Sequence, residues 1–274
     1  NELYHYRYCN AGSFGRCCGW YLFSIIWKLI INYKPNQKER VFIMKLLSTS
    51  ASNPKIAKTQ KKEKVQTRVA SLSLYPDHII CAGSKAAKCM DGCLKSAGMG
   101  VFSNVKAGRK AKTEWFHADQ VGFLDQLRKE LGNFDKLCKR TGSVGVVRLN
   151  TISDIAWESL GIPQLFPDLS FYDYTKRVQR IGKTPANYKL MFSYSGARTY
   201  QKQVAQLPDG YPMAVVFRHS LPTHFMGRVV IDGDKSDLDN LRGGHVVVGL
   251  LAKGKAKKDT SGFVVDSNLI AVGG

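Results

Sequence analysis

One pattern limits this chain more than any other. From Val69 onward, short apolar runs recur, each followed by polar residues and then by a helical or irregular stretch. "VASLSLYP" alternates and ends at Pro76. "VGVVRLN" (144–150), "LSFYDYT" (169–175), "YKLMFSYS" (188–195), "MAVVF" (213–217), "RVVID" (228–232) and "HVVVGLL" (245–251) follow, with "GFVVDS" (262–267) as a last short candidate. Runs this short and this apolar suit strands covered on both faces, and strands joined by crossovers imply a mainly parallel sheet. Val105–His117 and Asp119–Arg140 read as helices. In the second, Phe123, Leu124, Leu127, Leu131, Phe134 and Leu137 recur at helical spacing, and Thr141-Gly142 closes it. A short helix capped by Ser153-Asp154 and another near Thr199–Leu207 complete the expectation. The fold class is α/β, a complete or partial (β/α) barrel-like sheet; an open doubly wound sheet is the rival.

The expected domain is 69–274, long enough to enclose one core. Residues 44–68 form a lysine-rich lead-in (Lys55, Lys58, Lys61, Lys62, Lys64, Arg68), either a solvated arm or a phosphate-touching one. Residues 1–43 read as an upstream extension, with a peripheral anchor helix as the alternative. Their apolar run Tyr21–Ile31 is interrupted by Lys28 and is well short of the ~20 residues of a membrane helix. Lys and Arg number 41 against 21 Asp and Glu, a formal charge of +20, and few of these charges lie in 1–43. The excess predicts an anionic partner, nucleic acid or nucleotide. No secretory signal pattern opens the chain, so its seven cysteines are expected reduced, in a cytoplasm.

The polar residues after each strand converge on one mouth if the sheet is barrel-like. The candidates are Arg148, Asn150, Ser153 and Asp154; Tyr172, Asp173 and Lys176; Ser193, Ser195 and Arg198; Arg218 and His219; and Asp232, Asp234, Asp237 and Asp239. Asp154, Asp173 and Lys176 are the catalytic candidates. Arg148, Asn150, Ser153, Tyr172 and Ser193 are the candidates for holding substrate or cofactor. Asp173 has a second reading, a buried carboxylate tying adjacent loops, and "IDGDKSDLDN" reads as a turn. His117, His219, His224 and His245 lack metal-ligand spacing. No GxGxxG, GxxxxGK[ST] or GxSxG is present, and the basic 252–258 loop lacks the strand-loop-helix context of a phosphate cradle.

The segment "ICAGSKAAKCMDGCLKSAGMG" carries Cys81, Cys89 and Cys93 as C-x7-C-x3-C. Three thiolates from one loop can hold a four-iron cluster with one iron open, or zinc with a fourth ligand such as Cys138. Lys85 and Lys88 are expected to lower the thiol pKa values. Thiol redox chemistry and a purely structural role are the other readings.

"CAGSKAAKCMDGCLKSAGMGVF", "RKAKTEWF", "VRLNTISDIAWE", "FYDYTKR", "NYKLMFSYS", "VVIDGDKSDLDN" and "VVVGLLAKG" together resemble a group of bacteriophage proteins, similar to the mycobacteriophage "gene product eighty-eight" proteins. The resemblance runs from about Met44 to the end. It implies a phage origin and the cytoplasm of an infected bacterial host. More distantly, the pattern is similar to radical S-adenosylmethionine barrels. That likeness implies a cluster on the three cysteines and S-adenosylmethionine as a cofactor, although those proteins use C-x3-C-x2-C with an aromatic where Gly92 stands. Two functions follow as expectations: a metal-binding enzyme acting on a nucleotide or nucleic-acid-related substrate, or a basic nucleic-acid-binding accessory protein with structural cysteines.

Overall fold

The computed structural model describes residues 44–49, 66–235 and 245–270, all within the unit Met44–Gly274. The expectations for 1–43, for the lysines of 50–65 and for Asp237 and Asp239 lie outside the described residues.

Among the described residues nine strands form one sheet: β1 (Leu47–Thr49), β2 (Thr67–Leu72), β3 (Val144–Arg148), β4 (Ser170–Thr175), β5 (Tyr188–Ser193), β6 (Met213–Phe217), β7 (His224–Phe225), β8 (Arg228–Asp232) and β9 (Val247–Leu251). Their order is β1-β2-β3-β4-β5-β6-β9-β8-β7. From β2 to β6 the neighbours are sequential and parallel, and β9 pairs parallel with both β6 and β8. Sequential parallel neighbours joined by right-handed crossovers put every connection on the same side, as in a barrel wall. The wall does not close. Antiparallel β1 ends one edge and the antiparallel β7–β8 pair ends the other, so the complete-barrel expectation is corrected to an open, mostly parallel α/β sheet.

Two long helices cover one face: α2 (Ser103–Ala118) and α3 (Gln120–Arg140), after the single turn α1 (Ser84–Ala87). The Asp119 carboxylate accepts the Gly122 N–H at 2.9 Å and caps α3. Phe123, Leu124, Leu127, Leu131, Phe134 and Cys138 make its buried stripe, so Cys138 replaces Leu137 in the expected set. This stripe packs on Ala70, Leu72, Val147, Phe171 and Leu190 of the sheet. Each fully buried side chain of this size adds about 1.5–3 kcal/mol. On the other face, buried strand residues cluster as Val69 with Val146 and Tyr172 and as Met191 with Ala214 and Val248, and Ala252, Ala256, Phe263 and Val264 pack there against Val216.

Other differences are local. β1 lies inside the supposed polar lead-in because Leu46 and Leu47 are buried, with the Glu130 carboxylate accepting both of their N–H groups at 2.8 Å. Arg68 belongs to β2 and donates to Thr141 Oγ1. No helix follows Asp154; the chain turns there instead. The 262–267 segment makes only a single parallel bridge, Val265 to Phe217.

Candidate functional site

Two seams in the sheet prepare the site. β3 and β4 pair only at Val146–Ser170 and Val147–Phe171, and β5 and β6 only at Phe192–Met213 and Ser193–Ala214. Beyond the first seam the ladder leaves the Asn150 N–H without a strand partner. The Asp173 carboxylate takes it at 2.7 Å, and also accepts from Asn150 Nδ2 and from the Tyr188 hydroxyl at 2.8 Å. Asn150 Oδ1 in turn accepts from Ser153 Oγ, Ile155 N and Trp157 Nε1. Asp173, Asn150 and Ser153 are therefore spent on one buried knot.

Arg180 extends it. Its guanidinium grips both oxygens of Glu158 at 2.8 Å, Asp154 Oδ1 at 2.6 Å and the Tyr188 hydroxyl at 3.1 Å. The other Asp154 oxygen accepts the Lys176 N–H at 2.8 Å. Burial pushes the Asp173 carboxyl up to about 7, against the pull of Arg148, Tyr188 and Asn150. Burial also raises Asp154, with Arg180 pulling the other way. Of the three catalytic candidates, Asp154 and Asp173 thus hold loops together.

Lys176 is different. It lines a cavity of about 240 Å³ at the carboxyl ends of the strands, where open α/β sheets place ligands. β3 and its loop contribute Arg148, Asn150 and Thr151–Asp154; β4 gives Tyr174 and Lys176; β5 gives Ser193; β6 and β9 give Ala214, Val216, Leu250 and Leu251. The cysteine segment closes the remaining wall with Cys81, Cys89 and Cys93, and Lys253, Ala256 and Phe263 complete it. The cysteine segment approaches this closely because Gly83 has no side chain: a Cβ there would lie 2.6 Å from Lys176 Cβ.

Lys176 Nζ donates to the Ser193 and Tyr194 carbonyls, each at 2.9 Å. It lies 4.8 Å from the Phe263 ring centre and 5.6 Å from that of Tyr200. Among the described residues no carboxylate comes within ion-pair distance of it. Burial lowers its pKa to about 8, with Cys89, Asp154 and Cys93 pulling the other way. Arg148 stacks over Tyr174 at 4.8 Å and Tyr172 at 5.8 Å. Tyr172 is buried behind it rather than on the cavity wall.

The thiols behave opposite to expectation. Burial raises all three, Cys81 furthest. The lysines that pull Cys89 down are Lys176 and Lys95; Lys85 and Lys88 are exposed. Among the described residues, no three His, Cys, Asp or Glu side chains stand together as a metal's ligand set. The three thiols share a wall without that convergence. Thiols held protonated are poor nucleophiles. Alkylation by iodoacetamide near neutral pH is therefore expected to run at least about tenfold slower at these cysteines than in the urea-unfolded chain; peptide mapping that finds equal rates would contradict this environment.

The gene product 88 family model matches residues 45–267. The chain belongs to this phage protein family. No curated protein and no solved structure matches the chain, and no match supports the distant likeness to radical S-adenosylmethionine barrels. Among the described residues no helix is long and apolar enough to cross a membrane. This gene product 88 protein also uses residues that sequence reasoning passed over. Arg180, Glu158 and Tyr188 organise the knot, while Lys253 and Phe263 line the cavity. Lys253 is paired there with Asp234 at 2.5 Å. Only Lys253 carried a prior signal, its place in the basic loop.

Proposed function

We propose that this gene product 88 protein is a phage enzyme whose active site is the cavity at the strand ends. Its substrate is a small phosphate-bearing molecule related to nucleotides, and Lys176 exchanges a proton with it. The observation that carries the reading is Lys176 itself, a buried amine on a cavity wall with no carboxylate in ion-pair reach among the described residues. A lysine shifted by burial towards working pH is suited to acid–base chemistry. The phosphate preference rests on charge. Arg148 lies on the wall, Lys253 stands at the rim paired with Asp234, and Lys255, Lys257 and Lys258 are exposed beside it on the Gly254–Lys258 turn. The volume is slightly under the roughly 300–1,000 Å³ of usual ligand pockets, which favours a mononucleotide fragment or sugar phosphate over a polymer inside the cavity.

Titration calorimetry with ribose 5-phosphate and nucleoside monophosphates tests this. Saturable binding that weakens at least about tenfold in Arg148→Met, with the fold intact, is the expected result, a loss in the range of one charge-assisted contact. No binding by any of them would reject the reading.

The accessory-protein reading has one specific support. The basic turn packs on the cysteine segment, where a Cβ on Gly254 would meet Ser96 O at 2.7 Å, which brings its exposed lysines to the segment that carries Lys95. If these lysines track a nucleic-acid backbone, oligonucleotide affinity falls steeply with salt, and mononucleotides do not compete. A cluster or zinc on Cys81, Cys89 and Cys93 belongs to the same set of tests. Stoichiometric iron or zinc in anaerobically purified protein would assign those thiols to a metal.

A further inference from the structure

We infer that Lys176 is a covalent amine, and that it captures the carbonyl carbon of a small phosphorylated aldehyde as a Schiff base. This inference rests on the reading of the cavity as a phosphate-binding active site and names the substrate class.

The geometry around the nitrogen carries the argument. Nζ has four tetrahedral directions. One is its bond to Cε, and two point to the Ser193 and Tyr194 carbonyls at 2.9 Å. A neutral amine has two N–H bonds, and those two carbonyls use both. The lone pair then takes the fourth direction and is not tied up in a hydrogen bond. An ammonium in the same place would have a third N–H, and among the described residues no carboxylate lies in ion-pair reach to receive it. Burial disfavours that ammonium, so the neutral amine gains ground as pH rises through about 8, and a desolvated lysine of this kind is a nucleophile.

The surroundings agree. Cys89 and Cys93 face the amine from the cysteine segment, but burial keeps both protonated. Asp154 is engaged by Arg180 and by the Lys176 backbone. The Tyr200 hydroxyl, from the turn after β5, donates to the Lys176 carbonyl at 2.6 Å. Phe263 places a ring beside Nζ, which excludes water on that side. The amine is the strongest nucleophile on this wall.

The step balances without an oxidant or reductant. The Lys176 lone pair forms a C–N bond to the carbonyl carbon. The carbonyl oxygen leaves as water, taking two hydrogens that originate on the nitrogen, and a C=N bond remains. A protonated thiol on the same wall can lend a proton to the departing hydroxyl and recover it from the nitrogen.

Reductive trapping of the intact protein tests the inference. The probe is glycolaldehyde phosphate with cyanoborohydride, which converts an imine to a stable secondary amine, followed by peptide mapping. Lys176 is expected to be modified at least about tenfold faster than exposed Lys255, Lys257 and Lys258. The rate should rise with pH through about 8. Inorganic phosphate should suppress it, and unphosphorylated glycolaldehyde should react more slowly. Labelling of the exposed lysines with Lys176 intact, or labelling at one uniform rate, overturns the inference. If phosphates bind the cavity while Lys176 stays unmodified, this inference fails and the active-site reading survives. If neither occurs, both fail. No variant is required, so a misfolded mutant cannot obscure the answer.

Discussion

Replacing Arg180 by methionine is expected to cost the fold about 3–5 kcal/mol, a large part of what a domain possesses. Its side chain is only 3% exposed, and the carboxylates it pairs with, on Asp154 and Glu158, are nearly as deep. Methionine fills much of the volume and removes all four hydrogen bonds. Two carboxylates are then buried without a counter-charge, and the Tyr188 hydroxyl keeps only its bond to Asp173. Lysine does not repair this, because the two bonds to Glu158 need the planar fork of a guanidinium and an ammonium is a point charge. Arg180→Lys is expected to recover less than half of the loss. Urea unfolding followed by circular dichroism measures both variants. A methionine variant with a wild-type midpoint would show that the knot is not what secures these loops. The sign with pH is also defined. Without the cation, the Asp154 carboxyl, already raised by burial, rises further. Such groups favour the folded state at low pH and lose that contribution as pH rises through the folded pKa. The stability deficit of Arg180→Met therefore shrinks on acidification.

How much of this could be read from the sequence depended on the range of the interaction involved. Helix α3 was legible because its apolar residues recur every three or four positions, a local signal. β4, β5 and β6 were legible because a strand buried on both faces is a short apolar run, and β8, although half-exposed, carries a similar run. The edges were not. β1 lies in "KLLSTS", where two buried leucines amid polar residues show no period, and closure of a barrel depends on pairing between distant strands. The end of the sheet that carries the cavity was legible from the polar residues that follow each strand. Which of them face the cavity was not, since alternation in "SFYDYT" separates Asp173 from Tyr172 and Tyr174 without saying which face is solvated. Arg180 sits in "KRVQR" and reads as a surface cation, although its Asp154 partner lies 26 positions earlier. The thiols show the same limit. Lys85 and Lys88 are close to them in sequence and exposed, while the lysine that faces them comes from β4's far end.

Lys176→Met is expected to leave stability almost unchanged near neutral pH and to cost about 3 kcal/mol relative to wild type at high pH. Below pH 8 the wild-type protein must bury an ammonium. Methionine removes that penalty but leaves the Ser193 and Tyr194 carbonyls without their donor, a loss of about 1–3 kcal/mol, so the two effects nearly offset. Above pH 8 the wild-type balance changes. The folded pKa is about 8 against an ordinary 10.5, so between these values the unfolded chain binds the proton and the folded one does not. A base with a depressed folded pKa contributes stability that is full above its unfolded pKa and is lost as pH falls through the folded pKa. At about 1.4 kcal/mol per pH unit, that interval amounts to about 3 kcal/mol. The raised pKa values of Cys89, Cys93 and Tyr200 work in the opposite direction, but those groups remain in both proteins. The difference between wild type and variant in urea unfolding, measured from pH 7 to 10.5, therefore isolates the lysine. A flat difference would mean that the amine stays charged throughout, and its lone pair would then be absent at neutral pH. A difference that grows from about pH 8 fixes where the neutral amine appears. Schiff-base capture needs the same neutral amine, so the aldehyde-trapping rate at Lys176 must rise through about pH 8 and level off where the stability difference has begun to grow. Agreement between the midpoint of the rate and the onset of the stability difference would tie the stability of this buried lysine to its reactivity.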